Sequence, residues 1–105
     1  MTTQNLGREG QAPVAHRILH NTDLERFEIY VGEEVGAYAD YVDVGETRNF
    51  DHTVTKGRFE GQGLASALIE HALDTTRSEG KRVVTSCSFV LGFIEAHPQY
   101  NDLVA

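Results

Sequence analysis

The chain has 105 residues, 40% hydrophobic and 24% charged, with a formal net charge of −7. That is the length of one small domain with a modest core, and the acidic balance argues against a nucleic-acid footprint. A single cysteine (Cys87), no Cys/His cluster of zinc-site spacing, no apolar run of membrane length and no hydrophobic signal core at the start predict a cytoplasmic protein with no metal and no membrane partner.

Residues 1–13 are polar and aperiodic and read as a flexible tail, leaving one domain over 14–105. Val14–Leu19 reads as a first strand and Asn21-Thr22-Asp23 as a turn. Leu24–Val31 is a better strand, because Phe27, Ile29 and Val31 alternate with Arg26, Glu28 and Tyr30. Gly32-Glu33-Glu34 suits a hairpin connection, Val35–Val44 is a third strand, and Gly45-Glu46 turns the chain again. Arg48–Thr55 follows, with Phe50, His52 and Val54 expected on one face. These four segments form an antiparallel meander.

The helix expected over Gln62–Glu79 is strongly periodic. Leu64, Ala65, Leu68, Ile69, Ala72, Leu73 and Thr76 make one stripe, Glu70, Asp74 and Arg77 face out, and Gly80 is a natural stop. Val83–Ser86 is a short buried strand. A strand–helix–strand unit crosses over right-handed, so 49–55 and 82–87 should run parallel. Phe89–Ala96 is a second helix with Phe89, Val90, Phe93 and Ile94 on one face, ended by Pro98, and Tyr100 and Leu103 can pack back. The expected fold class is therefore α+β (α/β-like): a mixed sheet with an antiparallel meander, a long helix, a parallel strand and a short C-terminal helix.

Between strand and long helix lies Lys56-Gly57-Arg58-Phe59-Glu60-Gly61-Gln62-Gly63-Leu64-Ala65. A glycine loop opening a helix points unpaired N–H groups and the positive end of the helix dipole at an anion. No GxxxxGK[ST] run exists, and Gly61-x-Gly63 is followed by Ser66 where a dinucleotide fingerprint needs glycine. The bland alternative is a turn that merely starts a helix.

The Gly61-x-Gly63-x-Ala65 pattern resembles the pyrophosphate loop of the GNAT superfamily of acetyl-CoA-dependent N-acetyltransferases, except that Glu60 stands where Arg or Gln is usual. His52-Thr53-Val54, Phe59 to Ala65, Cys87-Ser88-Phe89-Val90, His97-Pro98-Gln99-Tyr100 and Asp102-Leu103-Val104 occur in that order. Together they look like a short, single-domain subgroup of that superfamily, over roughly residues 14–104. The resemblance implies a sheet whose two parallel strands splay, with the pantetheine arm of acetyl-CoA between Asp51–Thr55 and Val84–Cys87. It implies backbone pairing near Val54 and Thr55, and a pyrophosphate on Gly61, Gln62, Gly63, Leu64 and Ala65, helped by Lys56 and Arg58.

Amine acetylation needs a base and a group at the reacting thioester. His52 is one candidate, although a histidine on an apolar face is more often a packed core residue. Cys87 is the other: a thiol at a helix N-terminus has a lowered pKa, whereas a free cysteine is ordinarily a small buried hydrophobe. The subgroup places its cysteine near the acetyl group. The tyrosine many relatives carry in the last helix is missing, since Phe93 and Ile94 stand there, and Tyr100 is the remaining substitute. Asp23–Asp51 holds nine acids and two bases, which is ordinarily a solvated face but would also suit a cationic acceptor. Two functions follow: acetyl transfer from acetyl-CoA to an amine of a small molecule or protein lysine, by a monomer or weak dimer, or a non-catalytic CoA-binding or protein-interaction module of the same fold.

Overall fold

The computed structural model describes residues 16–105. The tail expected over 1–13, and the first two residues of the strand expected from Val14, lie outside the described residues. The elements are β1 (His16–Asn21), β2 (Arg26–Val31), β3 (Glu34–Val44), β4 (Thr47–Thr55), α1 (Leu64–Ser78), β5 (Arg82–Thr85) and α2 (Ser88–Ala96), with short 3₁₀ turns at Gly57–Phe59 and Pro98–Leu103. One mixed sheet runs in the order β1-β2-β3-β4-β5. The first four strands pair antiparallel and β5 lies parallel to β4.

Boundaries moved where backbone conformation overrode side-chain pattern. Leu24 and Glu25 belong to the turn before β2, and Glu25 has a left-handed φ of 52°. The long helix starts at Leu64 and not Gln62, because Gly63 caps it at φ 76°. Gly80, at φ 74°, ends it as expected.

Two β-bulges shape the sheet. The first lies between β2 and β3, where Tyr30 pairs with Val35 and Ile29 with Ala37, so Gly36 is the extra residue. A Cβ on Gly36 would sit 2.7 Å from Leu64 Cδ1, so this glycine lets the start of α1 approach the sheet. The second lies between β3 and β4, where Asp40 pairs with His52 and Tyr41 with Phe50, leaving Asp51 extra. It overturns the expected face of β4. Phe50 is buried against the helices, but the extra residue turns His52 and Val54 to the opposite face, and His52 is exposed. Thr53 and Thr55 take the helix side.

One core holds the domain. The α1 stripe of Leu64, Leu68, Ile69, Ala72, Leu73 and Thr76 is buried against Phe27, Ile29, Ala37, Ala39, Tyr41 and Phe50. Each large apolar side chain contributes ~1.5–3 kcal/mol relative to exposure. Val90, Phe93 and Ile94 of α2 join it, with Tyr100 and Leu103 packed back as expected. Phe89 departs from its expected place: it is 39% exposed.

At the other end of α1, Arg48 is only 2% exposed. Its guanidinium donates to both carboxylate oxygens of Asp43 (2.8 and 3.0 Å), to Glu79 (2.9 Å) and to the Thr76 hydroxyl (3.3 Å), and lies 4.2 Å from the Tyr41 ring centre. His20 joins the cluster through Tyr41 (2.6 Å) and stacks on Phe27. These bonds tie the first turn of β4 to the last turn of α1.

Candidate functional site

The parallel pairing of β4 with β5 is short. It runs from Thr47↔Arg82 to Phe50↔Thr85, and the last ladder bond is Ser86 N–H to the Phe50 carbonyl (3.2 Å). Beyond it the strands part. The Asp51 bulge starts the separation on β4, and the turn into α2 completes it on β5. Thr85 fixes the fork, because its hydroxyl donates to the Phe50 carbonyl (2.8 Å) and accepts the Cys87 N–H (3.0 Å).

The register says which backbone groups face the fork. Lys56 N–H donates to Gly36 O (2.8 Å), so Lys56, Val54 and His52 alternate toward β3. The N–H and C=O groups of Thr53 and Thr55 therefore point into the gap. Val54, expected to offer backbone groups there, is turned away by this alternation.

The gap leads to the glycine loop. The 3₁₀ turn at Gly57–Phe59 buries Phe59 and delivers the chain to Gly61 (φ 83°) and Gly63 (φ 76°). These left-handed angles suit residues without a Cβ. Ala67 N–H to Gly63 O (3.1 Å) is the first helical bond, and no side chain caps the helix. The N–H groups from Gly63 to Ser66 are thus the orphan donors of α1. They border a cavity of about 290 Å³, lined by Thr55, Gly61, Gly63, Leu64 and Ala65 among the expected residues, and by Phe59, Glu60, Ser66 and Phe89 besides. Gln62, Lys56 and Arg58 flank it without lining it, and Arg58 is paired with Glu34 (2.8 Å). Among the described residues, a phosphate there would meet N–H groups, with Glu60 at the rim, in place of lysine or arginine.

Cys87 is the N-cap of α2 and half-buried, at the head of the gap. Its Sγ lies 3.4 Å from the Thr53 hydroxyl. Burial pushes its pKa up, but the neighbouring Thr53 hydroxyl and the nearby N–H dipoles of Val90, Phe89 and Thr53 outweigh it and hold the thiol below its ordinary value. The sulfur thus sits where negative charge is stabilised. His52 is not beside it, for the bulge places His52 on the far face, with its ring 6.4 Å from that of Tyr38. Tyr100 is engaged elsewhere. Its hydroxyl donates to Asp74 (2.8 Å), and burial together with that carboxylate raises its pKa to about 12.

Sequence reasoning missed Thr53, Thr85, Ser66 and Gly36. The signal for Thr53 was its place in His52-Thr53-Val54, but only the bulge reveals the side it faces. Among the described residues no group of three or more His, Cys, Asp or Glu side chains could hold a metal, and no helix is long and apolar enough to cross a membrane.

The comparisons with known proteins agree with this geometry. Residues 26–103 match the family model described as GCN5-related N-acetyl-transferase. No curated protein matches significantly. Among solved structures, a GCN5-like protein from Staphylococcus aureus is similar at 24% identity and a TM-score of 0.67, over 85% of this chain and 87% of that one. The ribosomal-protein-S18-alanine N-acetyltransferase of Escherichia coli is similar at 20% identity and a TM-score of 0.59, covering 76% of this chain but 51% of the enzyme. Ard1 from Thermoplasma volcanium gives 15% identity and a TM-score of 0.57, over 70% of this chain and 53% of that one. The chain thus spans about half the length of the last two, and all three likenesses are ones of fold. With a family model covering most of the described residues, and a splayed parallel pair leading to a glycine-capped helix, the chain belongs to the GCN5-related N-acetyltransferase family and is an acetyltransferase domain.

Proposed function

We propose that the domain transfers acetyl from acetyl-CoA to an amine. The observation that carries this reading is the continuity of the gap: unpaired backbone at Thr53 and Thr55 leads to the orphan N–H groups at Gly63–Ser66. A pantetheine arm carries two amides and ends at a pyrophosphate. An extended strand edge followed by a helix N-terminus matches that order of groups. Gly61, Gln62, Gly63, Leu64 and Ala65 serve the pyrophosphate through their backbone, with Lys56 and Arg58 as nearby cations of longer reach. Val54 contributes by holding the strand to β3.

Acetyl-CoA supplies the activated thioester. Cys87 stands at the reacting end, and the Thr53 hydroxyl with the N–H dipoles at the start of α2 favours its thiolate, which suits it to accept the acetyl group before an amine does. Thr53 holds that sulfur through its hydroxyl, 3.4 Å from Sγ. His52, exposed beside the gap on the opposite face, takes the proton of an amine arriving from that side. The face around it also carries Tyr38 and Asp40, the latter bound by Arg26 (2.9 Å). The acceptor is a small-molecule or protein amine.

The test is acetyl transfer from isotopically labelled acetyl-CoA to an amine panel, with Cys87→Ala and His52→Gln beside the native chain. Loss of turnover in Cys87→Ala with retained acetyl-CoA binding supports the assignment. Unchanged single-turnover transfer in that variant would remove Cys87 from the chemistry. Binding of CoA with no transfer to any amine would favour the non-catalytic module.

A further inference from the structure

Both long helices pack on one face of the sheet, and the strand residues of the core, from Phe27 to Val83, all point that way. Among the described residues no helix covers the other face. Parallel strands are ordinarily covered on both faces, yet β4 and β5 are covered on one, and Val84 is 42% exposed on the other. The register sets Val84 beside Asn49 and Asn49 beside Val42, one row across three strands. Val42 is 44% exposed, and Val44, next on the same face of β3, is 71% exposed. Between the two valines of the row, Asn49 Oδ1 is shielded from solvent and has no hydrogen-bond donor among the described residues. The surroundings of this apolar row are acidic. Glu25, Glu46 and Asp51 stand exposed in the turns and the bulge around it, and no lysine or arginine pairs with them among the described residues. Asp23–Asp51 holds nine acids and two bases, and both bases are already matched: Arg26 by Asp40 (2.9 Å), Arg48 by Asp43 and Glu79 on the helix side. Arg82 shares the bare face, but its guanidinium turns to the C-terminal edge and donates to the carbonyls of Leu103 and Val104.

We infer that this bare face is a docking surface for a basic, extended protein segment. Apolar side chains of the segment cover Val42, Val44 and Val84, and its lysines or arginines meet the acidic rim. The surface is separate from the fork and the glycine loop, so the inference does not depend on acetyl transfer. Charge selects the occupant. A second copy of a chain of net charge −7 brings further acids to an acidic rim, and like charges set against each other oppose association. A basic segment meets the opposite sign. Covering the valines supplies affinity, while the acids supply orientation and speed of encounter. An N–H of the segment fills the unmet need of Asn49 Oδ1.

The experiment is a fluorescence-anisotropy titration of the full chain, without acetyl-CoA, into three labelled peptides. One alternates lysine with valine, one lysine with serine, and one glutamate with valine. For the native chain we expect saturable binding of the lysine–valine peptide, weakened by added salt, about tenfold tighter than for lysine–serine, and no binding of glutamate–valine. Val42→Lys puts a cation in the apolar row and should weaken the lysine–valine peptide by about tenfold or more, whereas Val42→Ile should bind like the native chain. Glu46→Lys should weaken it by a smaller factor. Both positions are exposed, and circular dichroism checks that the variants fold. Amide shifts of the ¹⁵N-labelled chain on adding the lysine–valine peptide should fall on Val42, Val44, Asn49 and Val84. No binding of the lysine–valine peptide to the native chain, equal binding of all three peptides, or binding unmoved by Val42→Lys would overturn the inference. Sedimentation showing a native dimer that Val42→Lys dissociates would assign the face to a second copy and overturn it as well.

Discussion

Replacing Arg48 with methionine probes the polar cluster that ties β4 to the end of α1. Methionine keeps the length and apolar character of the side chain but removes five N–H donors and the charge. Asp43 loses a two-pronged partner, Glu79 loses its bond at 2.9 Å, and the Thr76 hydroxyl loses a donor. Removing one member of a buried ion pair ordinarily costs about 3–5 kcal/mol. Asp43 and Glu79 are 27% and 35% exposed and can regain water, which places the expected loss near the lower end, about 3 kcal/mol. For a domain of this size that is a fall in Tm of roughly 12–24 °C.

The pH dependence sharpens this prediction. The hydrogen bond from Arg48 is the chief reason that Asp43 has a lowered pKa. A carboxylate with a depressed folded pKa adds stability above its unfolded value of about 3.9, and that stability is lost as pH falls through the folded value. The gap in Tm between native and variant chains should therefore narrow below about pH 4. His20 reports from the other side. Burial first, and Arg48 second, lower its pKa, so its imidazole should titrate at higher pH in the variant. Thermal melts from pH 7 to pH 3 and an NMR titration of His20 measure both effects. A Tm within about 2 °C of native at pH 7, or a deficit that does not change with pH, would refute the reasoning.

Three further outcomes are expected. Thr53→Val should raise the Cys87 pKa by deleting the hydroxyl 3.4 Å from Sγ and slow its alkylation by iodoacetamide at pH 7, with Thr53→Ser restoring the rate; an unchanged rate in the valine variant would remove that hydroxyl from the account. Gly63→Ala places a Cβ at φ 76°, meets no steric contact, and should cost ~1–2 kcal/mol from the left-handed backbone alone, seen as a lower urea midpoint with unchanged slope. Tyr100→Phe should cost about 1 kcal/mol near neutral pH. Because the Tyr100 pKa is raised to about 12, its contribution is complete below the unfolded value of about 10 and lost as pH rises to 12, so the difference between the chains should vanish across that window.

The elements were legible because their signals are local. The α1 stripe, the glycines at 32, 45 and 80 and the alternation of β2 are each set by a few adjacent residues, and the structure places them within two residues of expectation. The glycine loop was legible for the same reason, since Gly61 and Gly63 adopt left-handed angles that favour glycine. What sequence did not reveal depends on pairing. A bulge carries no composition of its own, so Asp51 reads as an ordinary strand residue and the faces of His52 and Thr53 come out exchanged. Arg48 looks like a surface charge until Asp43, Glu79 and Tyr41 are brought around it. Phe89 reads as core by spacing, but the gap between α1 and α2 leaves it as the wall of two cavities.

The central claim is that the fork between β4 and β5 and the glycine-capped end of α1 form one donor site. The most direct measurement is an NMR titration of the ¹⁵N-labelled chain with acetyl-CoA, following each backbone amide. The account predicts saturable shifts concentrated at Thr53, Thr55, Gly61, Gly63, Leu64, Ala65 and Ser66, extending to Cys87 and Phe89, with the Arg48 cluster unmoved. Saturable shifts confined to other surfaces would contradict it, as would no shift at millimolar ligand, an affinity weaker than about 4 kcal/mol.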